Sequence, residues 1–488
     1  MKRGIRPILL FLSLLVAPAA RCYGQELLDK INKADELPLS DFLTAAGKNT
    51  FFEEILIDTL NLQYAEVLAL PAEDVVLAVK SAYRVLFPTE NPNRPVHGFD
   101  GSVGLSKLFA DSGTTVSSTL STTPSSSGGS DTSRFSLEIA QPIARNAFGK
   151  TNRTTRKLTQ IENRILEMQI VEAYEDYYAD LITLYYTWHA EYAALMSSQN
   201  SYTTSRSLIQ EMEAKFGYGI ANRLDLDKSN IQFYSKWDSL IQQERTFKET
   251  TDLIKQAMMI DDTEKLYRPV LEDYRNFDEI TFDTCYDEFR SSSRTYEVFD
   301  LTEQKSELNV RLKADELLPS ANLYAAYDLA GKGIFFKDGP GDQSIRIGID
   351  LEYPIASSKA RASYETEKIA QKRTALSNSN KKIELKTQLL SLFRQIETDK
   401  ERIALADSRM EMAERIAESE TKDYNLGKSD LNDLISALNQ VDSVSQSRIN
   451  TIVRRNQNMV ELLRFTDRLI TEEEVFKKES AVEEKTDS

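Results

Sequence analysis

"KFGYGIANRLDLDKSN", residues 215–230, breaks a long helical pattern with two glycines and then resumes it at once. "DYNLGKSDLNDLISAL", residues 423–438, makes a similar break with one glycine near the other end of the chain. An aromatic opens each break (Phe216, Tyr424), a glycine follows three residues later (Gly219, Gly427), and Asp-Leu comes six further on (Asp225-Leu226, Asp433-Leu434). The offset is 208 residues throughout. The chain therefore reads as two copies of one unit.

The helices on either side of the breaks carry the same duplication. Residues 153–215 hold no Gly or Pro, and Tyr174, Tyr178, Leu181, Tyr185, Trp188 and Tyr192 recur every three or four residues, one face of a coiled-coil-like helix. Such a helix is about 90 Å long at 1.5 Å per residue, more than an ordinary globular domain holds. In the second copy Leu389, Leu392, Ile396, Ile403 and Met410 step along residues 359–424, again without Gly or Pro. Each long helix ends at a glycine, which accepts the positive φ that terminates a helix. A second periodic helix follows at about 225–260 and 430–470, with Asn222 and Ser429 or Asp430 available to cap it.

Upstream of each helical hairpin the texture becomes β. In the first copy Phe135, Leu137 and Ile139 alternate towards Pro142, after a Ser/Thr-rich stretch (114–133) that reads as a loop. In the second, Leu323, Ala325, Tyr327 and Leu329 alternate, a Gly-rich loop follows, and Ile345, Ile347, Ile349 and Leu351 alternate towards Pro354. Strands of about ten residues, apolar on one side, have the length of tilted membrane strands. Four strands do not close a barrel, and lipid tolerates no open edge. The pattern therefore predicts that several chains share one barrel.

The first 25 residues, "MKRGIRPILLFLSLLVAPAARCYGQ", read as a secretory signal: basic Lys2, Arg3 and Arg6, an apolar run, then small residues. Cleavage sites present themselves among residues 17–20 and after Gly24. Arg21 fits poorly before a lipidated Cys22, and cleavage after Gly24 leaves Cys285 as a lone thiol without a disulfide partner. A net charge of −16 and a pI near 4.9 tell against nucleic acid. Enzyme chemistry finds little to use. The two histidines, His97 and His189, are not clustered with cysteines for a metal, and "GYG" at 217–219 lacks the strand and third glycine of a phosphate loop. The expectation is no catalytic residue, no metal and no cofactor.

Over essentially the whole mature chain these features resemble the TolC-type outer-membrane efflux proteins. The tandem repeat, "LLPSANLYAAY" (317–327) running from helix into strand, "LEYPIASSKARASYE" (351–365) from strand into long helix, and the two glycine turns carry the resemblance. It implies a mainly α chain with a β-barrel portion, four strands per chain, and a homotrimer forming a 12-stranded β-barrel in outer-membrane lipid on an α-helical barrel in the periplasm. The implied divisions are a signal peptide (1–24), an N-terminal helical segment (25–97), a first β-hairpin (98–142), a helical hairpin (143–261) with its tip near 216–226, and an equatorial linker (262–300). A second helix (301–318), β-hairpin (319–355), helical hairpin (356–470, tip near 424–434) and disordered acidic tail (471–488) follow. The implied function is the exit duct of a tripartite efflux or type I secretion system, working with a periplasmic adaptor and an inner-membrane pump. The alternative is an exported coiled-coil tether or adhesin without a channel, which the helical period alone would fit.

The resemblance also assigns roles to residues. Phe216, Gly219, Leu226, Gly427 and Leu434 fall on the tip turns, where adaptors dock. Tyr424, Asp225 and Asp433 fall on the aperture, with Tyr424 hydrogen-bonding towards Asp225 and Asp433 facing its symmetry mates. Where the family pattern has an arginine two residues after the second glycine, this chain has Ser429, with Lys428 beside it. From the residues alone, Asp225 and Asp433 serve equally well as helix caps.

Overall fold

The computed structural model describes residues 30–31, 33–87, 95–123, 131–262, 265–271, 281–333, 336–337, 339–355 and 357–475. The expected signal peptide, Cys22 and most of the acidic tail lie outside these residues.

In chain order, β1 (Asp35–Leu37) leads into three short helices, α1 (Leu39–Ala46), α2 (Thr50–Ile57) and α3 (Thr59–Ala69). Four strands follow, β2 (Val76–Leu86), β3 (Val96–Phe109), β4 (Thr114–Thr123) and β5 (Thr132–Pro142), before the long α4 (Lys150–Gly217) and its return α5 (Arg223–Ala257). Then come β6 (Tyr267–Pro269), α6 (Phe282–Ser292), α7 (Arg294–Asp315), β7 (Ser320–Lys332), β8 (Pro340–Glu352), α8 (Ser358–Asn425) and α9 (Leu431–Phe465). The duplication is exact to the residue in the helices. Both α4 and α8 have 68 residues, both α5 and α9 have 35, and each pair starts 208 apart. No described helix is long and apolar enough to cross a membrane.

The chain forms two compact units. The first takes in residues up to 56, 171–293 and 384 onwards. Its core is built on the aromatic stripe of α4: Tyr174, Leu181, Tyr185 and Trp188 are almost wholly buried. The Trp188 ring stacks on Phe247 of α5 at 6.3 Å, and its indole N–H donates to Thr251 Oγ1 at 2.9 Å. Phe52 and Phe42 come in from α2 and α1 over Tyr174 and Tyr185. The Tyr185 hydroxyl lies against the carbonyls of Leu37 (2.7 Å) and Val270 (2.9 Å) and the N–H of Val270 (3.1 Å), at the ends of the parallel pair β1–β6. Cys285 is a free, buried thiol whose pKa burial pushes up.

The second unit, residues 57–170 and 294–383, holds a six-stranded antiparallel sheet in the order β2-β3-β4-β5-β7-β8. Six strands, not the expected four, is a correction with two parts. The Ser/Thr stretch forms β4 rather than a loop, because Val116 and Leu120 fall on one face and the β-branched threonines between suit a pleated surface. The N-terminal segment expected to be helical to residue 97 is helical only to Ala69. It then forms β2, where Leu77, Val79, Tyr83 and Val85 alternate, and pairs along its whole length with β3. The repeat offset shows which strands are extra. β4 and β5 correspond to β7 and β8, whereas β2 and β3 stand where the second copy has the helices α6 and α7. The second-copy helix itself begins earlier than expected, at Arg294 rather than residue 301.

Successive rows across this sheet differ in character. Leu77, Leu105, Ser118, Leu137, Tyr327 and Ile345 lie opposite one another through all six strands. The next row is Ala78, Gly104, Thr119, Ser136, Asp328 and Ser344. Since side chains alternate across a strand, one face is largely apolar and the other small and polar. Two ion pairs lie on the polar face, Arg346 on Asp328 at 2.6 Å and Arg84 on Asp100 at 2.5 Å. The apolar face is uncovered: Leu77, Val79, Tyr83, Ile345, Ile347 and Ile349 are all 62–77% exposed. A patch of that kind is more than a protein surrounded by water leaves open.

The tyrosine at the β1–β6 pair gives a test of the first unit. Tyr185→Phe keeps the ring and leaves the buried polar groups of Leu37 and Val270 short of a partner, a loss of about 1–3 kcal/mol. Urea unfolding followed by circular dichroism should show that loss, and an unchanged midpoint would remove this tyrosine from the core's support.

Candidate functional site

The two helix breaks lie in the first unit, and their backbone geometry is the same. After α4, the N–H of Gly219 donates to Phe216 O (3.0 Å) and that of Ile220 to Lys215 O (2.9 Å). After α8, the N–H of Gly427 donates to Tyr424 O (3.0 Å) and that of Lys428 to Asp423 O (2.8 Å). This is a Schellman ending, in which the glycine sits at the left-handed position; both glycines have φ of 71°. The aromatic–glycine spacing thus has a plain cause, because the aromatic supplies the carbonyl that the glycine N–H closes on. A Cβ on either glycine would meet nothing within 4 Å, so the backbone angle alone selects glycine there.

The returning helices are capped by the residues before them. Asn222 Oδ1 accepts from the Asp225 N–H at 2.8 Å. Asp430 Oδ1 accepts from the N–H groups of Asn432 (2.6 Å) and Asp433 (3.0 Å). Ser429 is not the cap; its hydroxyl donates to Glu420 at 2.6 Å. The Asp433 and Asn432 N–H groups hold the Asp430 carboxyl below its ordinary range. A depressed carboxyl stabilises above its unfolded pKa and loses that contribution as pH falls through the folded value; the neutral Asn222 cap has no such dependence.

Asp225 and Asp433 are consequently not the caps. Each sits three residues after one, in the first helical turn, where a negative charge is favoured by the helix dipole. Asp225 is half-buried and Asp433 exposed. The leucines that follow them do the packing. Leu226 and Leu434 are buried with Leu208, Met212 and Leu431 in one cluster that joins α4, α5 and α9, with Tyr424 of α8 against it. That cluster brings the two turns together.

The expected hydrogen bond from Tyr424 towards Asp225 is not made. The Tyr424 hydroxyl donates to Met212 Sδ at 3.4 Å, and the Lys215 ammonium lies 4.5 Å from its ring centre. Burial raises the Tyr424 pKa, opposed by Lys215 and supported by the charges of Glu211 and Asp225. Phe216, its counterpart, is exposed. Sequence reasoning missed Met212 and Lys215, and it missed Tyr218, Ile220, Leu224 and Leu426, which stand 62–82% exposed around the turns. The available signal was large apolar residues inside a segment with no helical period to bury them. Lys428 is exposed as well.

No family model and no curated protein matches the sequence. Solved structures do match its fold. The outer membrane protein VceC of Vibrio cholerae is 11% identical with a TM-score of 0.66, over 88% of this chain and 95% of that one. The CmeC outer membrane channel of Campylobacter jejuni is 13% identical with a TM-score of 0.68, over 91% of this chain and 89% of that one. The open state of the MtrE outer membrane channel of Neisseria gonorrhoeae is 12% identical with a TM-score of 0.56, over 88% of each chain. The fold implied by the resemblance to TolC-type proteins is therefore the fold of solved outer-membrane channels.

Because only φ selects glycine at the turns, the kind of substitution should matter more than its size. Asn tolerates the left-handed region and a β-branched residue does not. Gly219→Asn and Gly427→Asn should keep the thermal unfolding midpoint near that of the wild type. Gly219→Val and Gly427→Val, strained by about 1–3 kcal/mol, should lower it clearly. Unchanged midpoints in both valine variants would show that the turns tolerate any residue.

Proposed function

We propose that this chain is the outer-membrane exit duct of a tripartite efflux or type I secretion system. In this reading three copies pass small molecules or proteins from an inner-membrane pump, through a periplasmic adaptor, across the periplasm and outer membrane. The observation that carries the proposal is the sheet with one exposed apolar face and one small and polar face, in the same chain as two duplicated helical hairpins. Lipid on one side and a watery lumen on the other account for both faces. A coiled-coil tether or adhesin accounts for the helices but leaves the apolar face without a covering.

Ring assembly has support in the first unit. Ile231, Tyr234 and Ile241 form an exposed apolar seam on α5, and Leu405, Met412 and Ile416 form another on α8. Two different seams suit a head-to-tail contact, the kind that closes into a ring. The likeness to channel folds supports the duct, and the exposed apolar residues around the turns supply a surface for an adaptor.

Within the duct, Asp225, Tyr424 and Asp433 stand at the aperture in this reading, with Phe216, Gly219, Leu226, Gly427 and Leu434 shaping the turns. Copies of Asp433 brought together at a narrow ring attract cations, since each carboxylate is exposed and committed to no cap. Tyr424 acts through its seat between the leucine cluster and Lys215.

The first test is physical. Outer-membrane fractions should yield a detergent-stable trimer on crosslinking, and a water-soluble monomer would sink the duct. The second is electrical. In planar bilayers Asp433→Asn should weaken block by multivalent cations, and Tyr424→Phe combined with Asp225→Ala should raise conductance. If block and conductance stay at wild-type values, these three residues belong to the helix ends and not to a gate.

A further inference from the structure

We infer that β2 and β8 are the two sides of a strand-to-strand joint between copies of this chain, so that a trimer closes a barrel of eighteen strands rather than twelve. The inference rests on the duct reading and extends it to the count and size of the barrel.

The hairpin β2–β3 is an addition to the repeat, and it is built into the sheet. Nine residues of β3, from Gly101 to Phe109, pair with Thr122 to Thr114 of β4, and all eleven of β2 pair with β3. The outer edge of β4 is thereby occupied. A neighbouring copy can reach β4 only by stripping those pairs.

Both faces of the sheet continue into the hairpin. On the apolar side Leu77 and Val79 extend the rows of Leu137 and Phe135 and Tyr83 lies opposite Phe99, and on the polar side Lys80 and Arg84 stand with Ser102 and Asp100. A hairpin folded away from lipid has no reason to keep a strand face that apolar.

The free edges are then β2 and β8. Both are exposed along almost their whole described length, and both present apolar residues on the same face of the sheet, Ile345, Ile347 and Ile349 answering Leu77, Val79 and Tyr83. Long apolar edges invite another strand, and in hydrocarbon every edge N–H and C=O must find one. Direction is satisfied too. Six strands alternate strictly, so β8 of one copy meets β2 of the next antiparallel. On the polar face the strands differ in net charge: β2 carries Lys80 and Arg84 and no acid, and β8 carries Asp342, Asp350 and Glu352 against one Arg346.

Three copies of six strands make eighteen. Barrel diameter grows roughly linearly with strand number, so this barrel is about 1.5 times as wide as a twelve-stranded one, in the range that leaves an aqueous lumen.

The test uses the full chain in native outer membranes, on a Cys22→Ser, Cys285→Ser background. Val79→Cys paired in turn with Ile345→Cys, Ile347→Cys and Ile349→Cys should, on oxidation with copper phenanthroline, give dimer and trimer bands that vanish on reduction. Val116→Cys or Leu120→Cys on β4 with the same β8 partners should give none between subunits. Should a cysteine variant fail to fold, cryo-electron microscopy of the unmodified detergent-purified trimer counts the strands directly, eighteen being expected. A membrane trimer with twelve strands, or β4–β8 crosslinks between subunits, overturns this inference and leaves the duct intact. A water-soluble monomer overturns both.

Discussion

A backbone N–H or C=O in hydrocarbon has no water to turn to, and in the duct reading the organisation of this chain follows from that constraint. Helices satisfy it within themselves, but no described helix is apolar enough to use the solution. A sheet satisfies it only when its edges are paired. The apolar face formed by Leu77, Leu105, Leu137, Tyr327 and Ile345 commits the sheet to a non-aqueous neighbour. That commitment then obliges the two edge strands to find partners that one chain does not supply. The polar face, with Asp328 held by Arg346, is the complementary consequence, since charges on that side are tolerable only where they are paired or wet.

The helical part obeys a different constraint, the geometry of a reversal. A 68-residue helix that must turn back within five residues needs a positive φ, a cap for the returning helix, and something to hold the turn closed. Gly219 and Gly427 provide the first, Asn222 and Asp430 the second, and Leu226 and Leu434 the third. The roles are met at the same offset in both copies, yet the caps differ in chemistry. Asn222 is neutral and Asp430 ionised, so acid weakens one turn and spares the other. Asp225, half-buried, and Asp433, exposed, are left free of the capping task.

How much of this was legible follows from how local each cause is. The glycine turns and the long helices were readable, because positive φ and a 3.6-residue period depend on neighbouring residues alone. The strands of the second copy were readable for the same reason, since Ile345, Ile347, Ile349 and Leu351 alternate without interruption. β4 was not, because serine and threonine populate loops and strands alike and only pairing with Leu105 and Leu137 decides for Ser118. β2 was hidden because the segment before residue 97 reads as helix, and the alternation of Leu77, Val79, Tyr83 and Val85 is broken by small residues and decided only by pairing with β3. The partner of Tyr424 was a tertiary matter. Met212 lies 212 residues away, and no spacing rule points a hydroxyl at its sulfur.

The two copies diverge in just the way that their shared constraints permit. Helix lengths match to the residue between α4 and α8 and between α5 and α9, and in each copy the leucines of the turns meet in one cluster, so a change in length would misplace one turn against the other. Strand number is under a looser rule. An added single strand would reverse the direction in which the chain enters β4 and would make the outer edges run parallel. An added pair restores both. The first copy has gained such a pair, with its apolar and polar rows in step with those already present. Growth by a whole hairpin therefore keeps the long helices, the turns and the direction of β4, and it takes the place that α6 and α7 hold in the second copy.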